Sequence, residues 1–269
     1  AYRNGRVHIC FQENVGSHGG GCRFAVRSGN GNRRFEVVHH LAEQFGVECI
    51  ADGAEAQGAD VVVLAVKPQV MMDVLAGISA VAAYQGGERG PLFISIAAGL
   101  PTSALEAALP AGSRLVRVMP NTPLLVSEGA TAVTRGAHAT DEDLAYAKEL
   151  FACLGLACVV DEADMDAIGA VSGSGPAYVA ALIEALRDGG VAEGLDAELA
   201  EKLALQTVLG TARLMTETGR GAEETRIAVC SPGGTTLAAL AAMEEGGFTE
   251  SLKAGVAAAV VRSKELARC

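Results

Sequence analysis

Short apolar runs separated by amphipathic stretches dominate the first 160 or so residues. Asp60-Val61-Val62-Val63-Leu64-Ala65-Val66, residues 91–96 and residues 114–119 are rich in branched side chains and apolar at successive positions rather than alternate ones. A run apolar on both faces belongs to a parallel strand buried between two layers of helices. Residues 70–81, 102–109 and 141–154 have helical periodicity. Strand and helix signals in alternation predict an α/β fold with a doubly wound parallel sheet. Residues 131–134 and 157–160 are expected to add edge strands. After Asp161-Glu162 no strand-like run appears, and helices are predicted over 164–171, 176–189, 196–218, 223–229, 235–244 and 249–266. A domain boundary near Glu162 follows, with an α/β domain over 1–161 and an all-helical one over 162–269. Stretches such as Gly255-Val256-Ala257-Ala258-Ala259-Val260-Val261 offer more apolar face than one small bundle buries, so a second subunit is the expected outlet.

Composition narrows the function. The chain has 269 residues, half of them hydrophobic, enough for two domains with their own cores. A net charge of -11 argues against nucleic acid as a partner, because phosphates require a basic face. No apolar stretch approaches the ~20 residues of a membrane span, and no secretory pattern opens the chain. A cytoplasmic protein with a small-molecule substrate is expected. The 7 cysteines include no Cys-x-x-Cys pair, so neither a disulfide framework nor a metal site follows. Cys230 precedes a helix N-terminus, but no His lies nearby in sequence to activate it.

Ser231-Pro232-Gly233-Gly234-Thr235-Thr236, followed by Leu237-Ala238-Ala239-Leu240, is the most informative stretch. A serine, a proline that fixes the turn, a glycine pair that admits close backbone approach and two threonines describe a helix entry whose free N–H groups can hold an anion. A small carboxylate fits there; an ordinary capped helix is the competing reading. Ser172-Gly173-Ser174-Gly175-Pro176-Ala177-Tyr178 is a second glycine-serine helix entry. Together with Val116-Arg117-Val118-Met119-Pro120-Asn121-Thr122-Pro123, Ala65-Val66-Lys67-Pro68-Gln69 and Ser95-Ile96-Ala97-Ala98-Gly99, these segments resemble the pyrroline-5-carboxylate reductase family, in its order and roughly its spacing, from about Leu41 onward.

The resemblance implies a Rossmann-type domain followed by an all-helical dimerisation and substrate domain, with the active site between them. It also implies hydride transfer from NADPH or NADH to the C=N bond of 1-pyrroline-5-carboxylate, giving L-proline, in a homodimer or higher homo-oligomer. Thr236 is expected at the ring nitrogen and Ser231 at the turn, with the amides of Gly233, Gly234 and Thr235 on the carboxylate. Glu162 matches a family acidic residue near the substrate amine; a solvated linker carboxylate is its other reading. Ala65, Val66, Lys67 and Pro68, the small residues Ala97, Ala98 and Gly99, and Asn121 are expected at the cofactor. Taken without the resemblance, Lys67 reads as a surface lysine and Asn121 as a turn former. Asp52 and Ala228 stand where family members carry cofactor-contacting asparagines, which leaves the choice of nicotinamide open.

The first 34 residues depart from that pattern. Arg6-Val7-His8-Ile9-Cys10-Phe11 suits a strand, but the nearest match to Gly-x-Gly-x-x-Gly is Gly19-Gly20-Gly21-Cys22-Arg23-Phe24, with bulky Phe24 where helix and strand must pack closely. Neither a helix nor a second strand is readable over 25–34, and Arg3, Arg6, Arg23, Arg27, Arg33 and Arg34 stand against Glu13 alone. A remodelled N-terminus without cofactor binding, an unusual working loop with Arg33 or Arg34 meeting a 2′-phosphate, and a reading-frame shift in the source gene all account for this. Two further functions stay open. One is a catalytically silent dimer that binds a proline-like ligand; the other is a related dehydrogenase of 3-hydroxy acids or imines, for which Lys202 is the inward acid or base.

Overall fold

The computed structural model describes residues 59–81, 86–87 and 90–266, together with the backbone of three short strands nearer the N-terminus. Those strands are β1 (Val7–Phe11), β2 (Cys22–Val26) and β3 (Glu48–Ile50). They join β4 (Val61–Ala65), β5 (Leu92–Ser95), β6 (Arg114–Met119), β7 (Gly129–Arg135) and β8 (Gly155–Val159) in one sheet of order β3-β2-β1-β4-β5-β6-β7-β8. Every neighbouring pair is parallel except β6 with β7. Residues 131–134 therefore lie in β7, one place in from the edge, and only β8 closes that side. Cys22–Val26 being a strand means that the Gly19–Gly21 cluster leads into β2, not into the helix a phosphate loop would open. The cluster itself, Arg33, Arg34 and Asp52 lie outside the described residues.

Side-chain alternation along the central strands explains both layers. Val62, Leu64, Phe93 and Leu115 point to one face, where helix α1 (Pro68–Ser79) supplies Met71, Leu75 and Ile78 and helix α2 (Thr102–Ala108) supplies Leu105. Val61, Val63, Leu92, Ile94, Val116 and Val118 point to the other, where helix α3 (Asp141–Ala152) supplies Ala147 and Phe151. Burial on both faces is what the continuous apolar runs require. The short β6 carries two arginines that follow the same alternation. Arg114 faces α3 and donates to Asp143 Oδ1 at 2.6 Å and to the Gly90 carbonyl at 2.7 Å. Asp143 closes a reciprocal capping box with Thr140, whose amide and hydroxyl both donate to Oδ2 at 2.9 Å.

Beyond β8 the described chain is helical: α4 (Met165–Ile168), running into a π turn at Gly169–Gly173, then α5 (Gly175–Ala192), α6 (Ala197–Thr218), α7 (Ala222–Ala228), α8 (Thr235–Glu245) and α9 (Phe248–Leu266). The chain divides into two compact units, Ala1–Gly173 with Ala259–Cys269, and Ser174–Ala258. The end of α9 thus belongs with the sheet: Ser263 Oγ donates to Asp166 Oδ1 at 2.7 Å, and Leu266 lies against Gly99. In the second unit Asp196 caps α6 through the amides of Glu198 and Leu199, and Gly219 ends it with φ +69. Leu186, Leu199, Leu203 and Leu209 stay about half exposed in the single chain, so this unit holds unburied apolar surface. No described helix is long and apolar enough to cross a membrane.

Asp143→Ala removes a cap and the carboxylate paired with Arg114; it should lower the unfolding free energy by about 3 kcal/mol in urea titration. Arg135→Ala, which breaks an exposed pair with Asp141, should change it by no more than about 0.5 kcal/mol.

Candidate active site

The candidate residues fall into two sets, one in each unit. In the first unit β4, β5 and β6 are mutually parallel, so the segments that follow Ala65, Ser95 and Met119 all leave the same edge of the sheet. The strand order turns between β1 and β4, and Phe11 at the end of β1 is the register partner of Ala65. Ligands of open α/β sheets bind outside the carboxyl ends of strands at such a switch point. Val66 is buried, whereas Lys67 is exposed and forms the N-cap of α1, with Pro68 opening the helix.

After β5 the chain is held by the Ile96 amide on the Leu64 carbonyl at 3.1 Å, and Ala97 is buried. Ala98 is exposed, and Gly99 has φ +75, a conformation that side-chain-bearing residues avoid. Ala98 is thus the exposed point of this segment at the switch edge, while Gly99 is buried beside Leu266. Asn121 is more committed than a free turn residue. Its Oδ1 accepts from the Ala130 amide at 2.8 Å and its Nδ2 donates to the Ser172 carbonyl at 3.0 Å, leaving one N–H for another partner. It ties the loop after β6 to β7 and to the π turn. That turn is close-packed: a Cβ on Gly173 would lie 2.7 Å from Met119 Cε. That methyl ends a flexible side chain and can yield, and the second glycine of the entry, Gly175, has open space around it, so packing does not by itself demand glycine at either position.

Glu162 opens a 3-10 turn, Glu162–Asp164, and is not a solvated linker carboxylate. Its Oε1 accepts from Arg117 Nη1 at 2.5 Å and from the Thr102 amide at 3.3 Å. It is thereby engaged within its own unit. Arg117, 4% exposed and facing α2, is a buried charge that the sequence reading passed over. Its signal was a lone cation inside the run Leu115-Val116-Arg117-Val118-Met119.

In the second unit, Ser231 to Gly234 form a tight turn in which the Gly234 amide donates to the Ser231 carbonyl at 2.9 Å. Gly234 was expected to offer that amide to a carboxylate; the turn uses it instead. Gly233 has φ +71, and a Cβ on Gly234 would come within 2.3 Å of Ser231 Oγ, so both positions call for glycine. Gly234 is the N-cap of α8 and no side chain caps the helix. The amides of Thr235, Thr236 and Leu237 are first-turn donors without an intrahelical acceptor, at the positive end of the helix dipole. Gly233 and Thr235 are exposed and Thr236 is half-buried. Elsewhere in this unit Lys202 is exposed on α6 and paired with Glu198 at 2.5 Å, which corrects its reading as an inward acid or base. Cys230 Sγ is turned to the Arg226 carbonyl at 3.1 Å. Among the described residues no cluster of His, Cys, Asp or Glu is placed to hold a metal ion.

Comparisons with known proteins agree with this layout. Residues 162–266 match the family model for pyrroline-5-carboxylate reductase dimerisation, and residues 25–99 match that for NADP oxidoreductase, coenzyme F420-dependent. Curated pyrroline-5-carboxylate reductases are similar over most of the chain. The one from Synechocystis sp. is 44% identical over 230 residues, 85% of this chain and 84% of its own. That from Methanosarcina acetivorans is 42% identical over 229 residues, 85% of this chain and 83% of its own. Among solved structures, the pyrroline-5-carboxylate reductase of Coxiella burnetii superposes with a TM-score of 0.84 at 32% identity, covering 98% of this chain and 99% of that one. The Plasmodium falciparum enzyme with NADP bound gives 0.80 at 27%, covering 98% of each.

Asn121→Asp keeps the acceptor for Ala130 but sets a carboxylate against the Ser172 carbonyl. Stability in urea titration should fall by about 2 kcal/mol.

Proposed function

Because the chain belongs to the pyrroline-5-carboxylate reductase family, we propose a division of labour in which α8 holds the substrate by its carboxylate and the switch edge of the sheet holds the nicotinamide. The reaction is the NAD(P)H-dependent reduction of 1-pyrroline-5-carboxylate to L-proline. Bound NAD(P)H supplies the hydride. A protonated cyclic imine is already electrophilic at carbon, so the protein's own contribution is positioning. The single observation that carries the substrate half is the uncapped α8 N-terminus behind a Ser-Pro-Gly-Gly turn.

The carboxylate takes the amides of Thr235, Thr236 and Leu237, joined by the outward-facing Gly233 backbone, where the dipole favours an anion. This fixes one end of the ring and so presents a single face of the C=N bond. The Thr236 hydroxyl hydrogen-bonds the ring nitrogen as that nitrogen gains electron density; too weak an acid to act alone, it orients the ring and passes on a proton from solvent. Ser231 holds the turn through its carbonyl and screens Gly234 with its hydroxyl. On the sheet, Ala65 to Pro68 and Ala97 to Gly99 line the nicotinamide side, and Asn121 offers its remaining N–H to the carboxamide. Lys67 is exposed and makes no ion pair among the described residues, so it suits the phosphates of the cofactor. The half-exposed leucines of α5 and α6 are covered in a homodimer, as the match to the dimerisation model supports. A cytoplasmic setting accords with this chemistry.

Purified chain given NADPH and 1-pyrroline-5-carboxylate should consume nicotinamide absorbance with stoichiometric proline. No consumption together with retained proline binding would mark a silent ligand-binding protein instead. Thr236→Ala should lower kcat by about a hundredfold, with Thr236→Ser recovering most of it and stability little changed. Unchanged turnover in Thr236→Ala would remove the hydroxyl from the mechanism.

A further inference from the structure

We infer that Arg117, acting through Glu162, is a positioning residue for the 96–101 loop; this rests on the cofactor role proposed above for Ala97, Ala98 and Gly99. A buried guanidinium and a carboxylate reach their best geometry as a two-point fork, with two parallel N–H···O bonds. Here the bond is single-point. Glu162 Oε1 takes both Arg117 Nη1 and the Thr102 amide, while Arg117 Nε and Glu162 Oε2 are buried without a partner. A fork would satisfy both orphaned atoms, and the Thr102 contact draws the carboxylate away from it. Leaving two buried polar atoms unpaired is costly, so the contact with the start of α2 is the feature this arrangement preserves.

What that contact fixes is the far end of the loop. Among the described residues, the hydrogen bonds that tie 96–102 to other segments are at its two ends: the Ile96 amide on Leu64 and the Thr102 amide on Glu162. Between them the end of α9 lies beside Gly99, where a Cβ would meet Leu266 Cβ at 3.3 Å. Ala97 and Ala98 carry no side chain long enough to anchor the backbone. One oxygen of Glu162 therefore links β6, the turn that opens the 162–266 segment and the entry to α2. Release it, and the loop keeps the Ile96 bond and the packing of Ala97 and Leu100 in the core but loses the hydrogen bond at its far end.

The test separates positioning from stability. Arg117→Met alone leaves a buried, unpaired carboxylate and is expected to destabilise, so the informative variant is the double change Arg117→Met with Glu162→Met, which replaces the pair by apolar chains. Buried ion pairs replaced in this way leave stability unchanged or raise it. The double variant should keep the parental thermal midpoint yet bind NADPH about tenfold more weakly, read from the cofactor's own fluorescence, a readout eased by the absence of tryptophan. Glu162→Gln, which keeps an acceptor for Thr102 but leaves the Arg117 charge unpaired, should lose stability yet keep the parental NADPH affinity while folded. L-proline affinity should be unchanged in both. Parental NADPH affinity in the folded double variant, or an equal loss in Glu162→Gln, overturns the inference. Failure of the unaltered chain to bind NADPH removes the functional reading itself, and this inference with it.

Discussion

A helix that starts without a cap leaves amides pointing at whatever lies beyond it. In α8 the residue that would normally cap is Gly234, which has no side chain, and the Ser231 carbonyl, not a side chain, closes the turn before it. Three first-turn amides and the helix dipole then favour an anion at that spot. In the proposed reading, the fixed face of the ring and the placement of the Thr236 hydroxyl follow from where that anion is held. Glycine at 233 and 234 is required by backbone geometry on one side and by the close approach of Ser231 on the other, so the turn admits little variation.

The sheet solves a different problem, holding short parallel strands and their helices in register while leaving one edge free. Strand β6 does much of this through its two arginines. Arg114 reaches Asp143 in the first turn of α3, and Arg117 reaches Glu162, which in turn holds the first residue of α2. The strand alternation sends them to opposite faces, so each fastens the N-terminal end of the helix on its own side. Both are buried charges that need their partners. For α2 this fixes the end of the loop that leaves the switch edge after β5, whereas the loop before α3 follows the antiparallel β7 and lies at the other edge of the sheet.

Much of this architecture was legible in the chain, for physical reasons that differ between segments. The runs at 61–65, 92–95 and 114–119 read plainly as strands because burial on both faces removes any polar alternation. The long helices read well because α6 carries its own Asp196 cap and ends at a glycine. Cys22–Val26 did not read as a strand, since Arg23 interrupts it and the preceding glycines suggested a turn into a helix. Glu48–Ile50 is too short to leave a pattern. The sites were legible by type and less so by contact. Asn121 and Gly234 were named, but what each one bonds depends on carbonyls that sequence cannot place. Arg117 and Glu162 are 45 residues apart, and nothing local links them. The return of the end of α9 to the sheet unit is likewise a tertiary fact, invisible to helical periodicity.

The central claim, that free amides at the start of α8 grip a carboxylate, is most directly tested by amide NMR of the isotopically labelled chain titrated with L-proline and, separately, with L-prolinamide, which differs in lacking the carboxylate. The account predicts that proline shifts the Thr235, Thr236 and Leu237 amide resonances saturably while prolinamide leaves them in place. Equal shifts from both ligands, or shifts from proline confined to residues elsewhere, would contradict it.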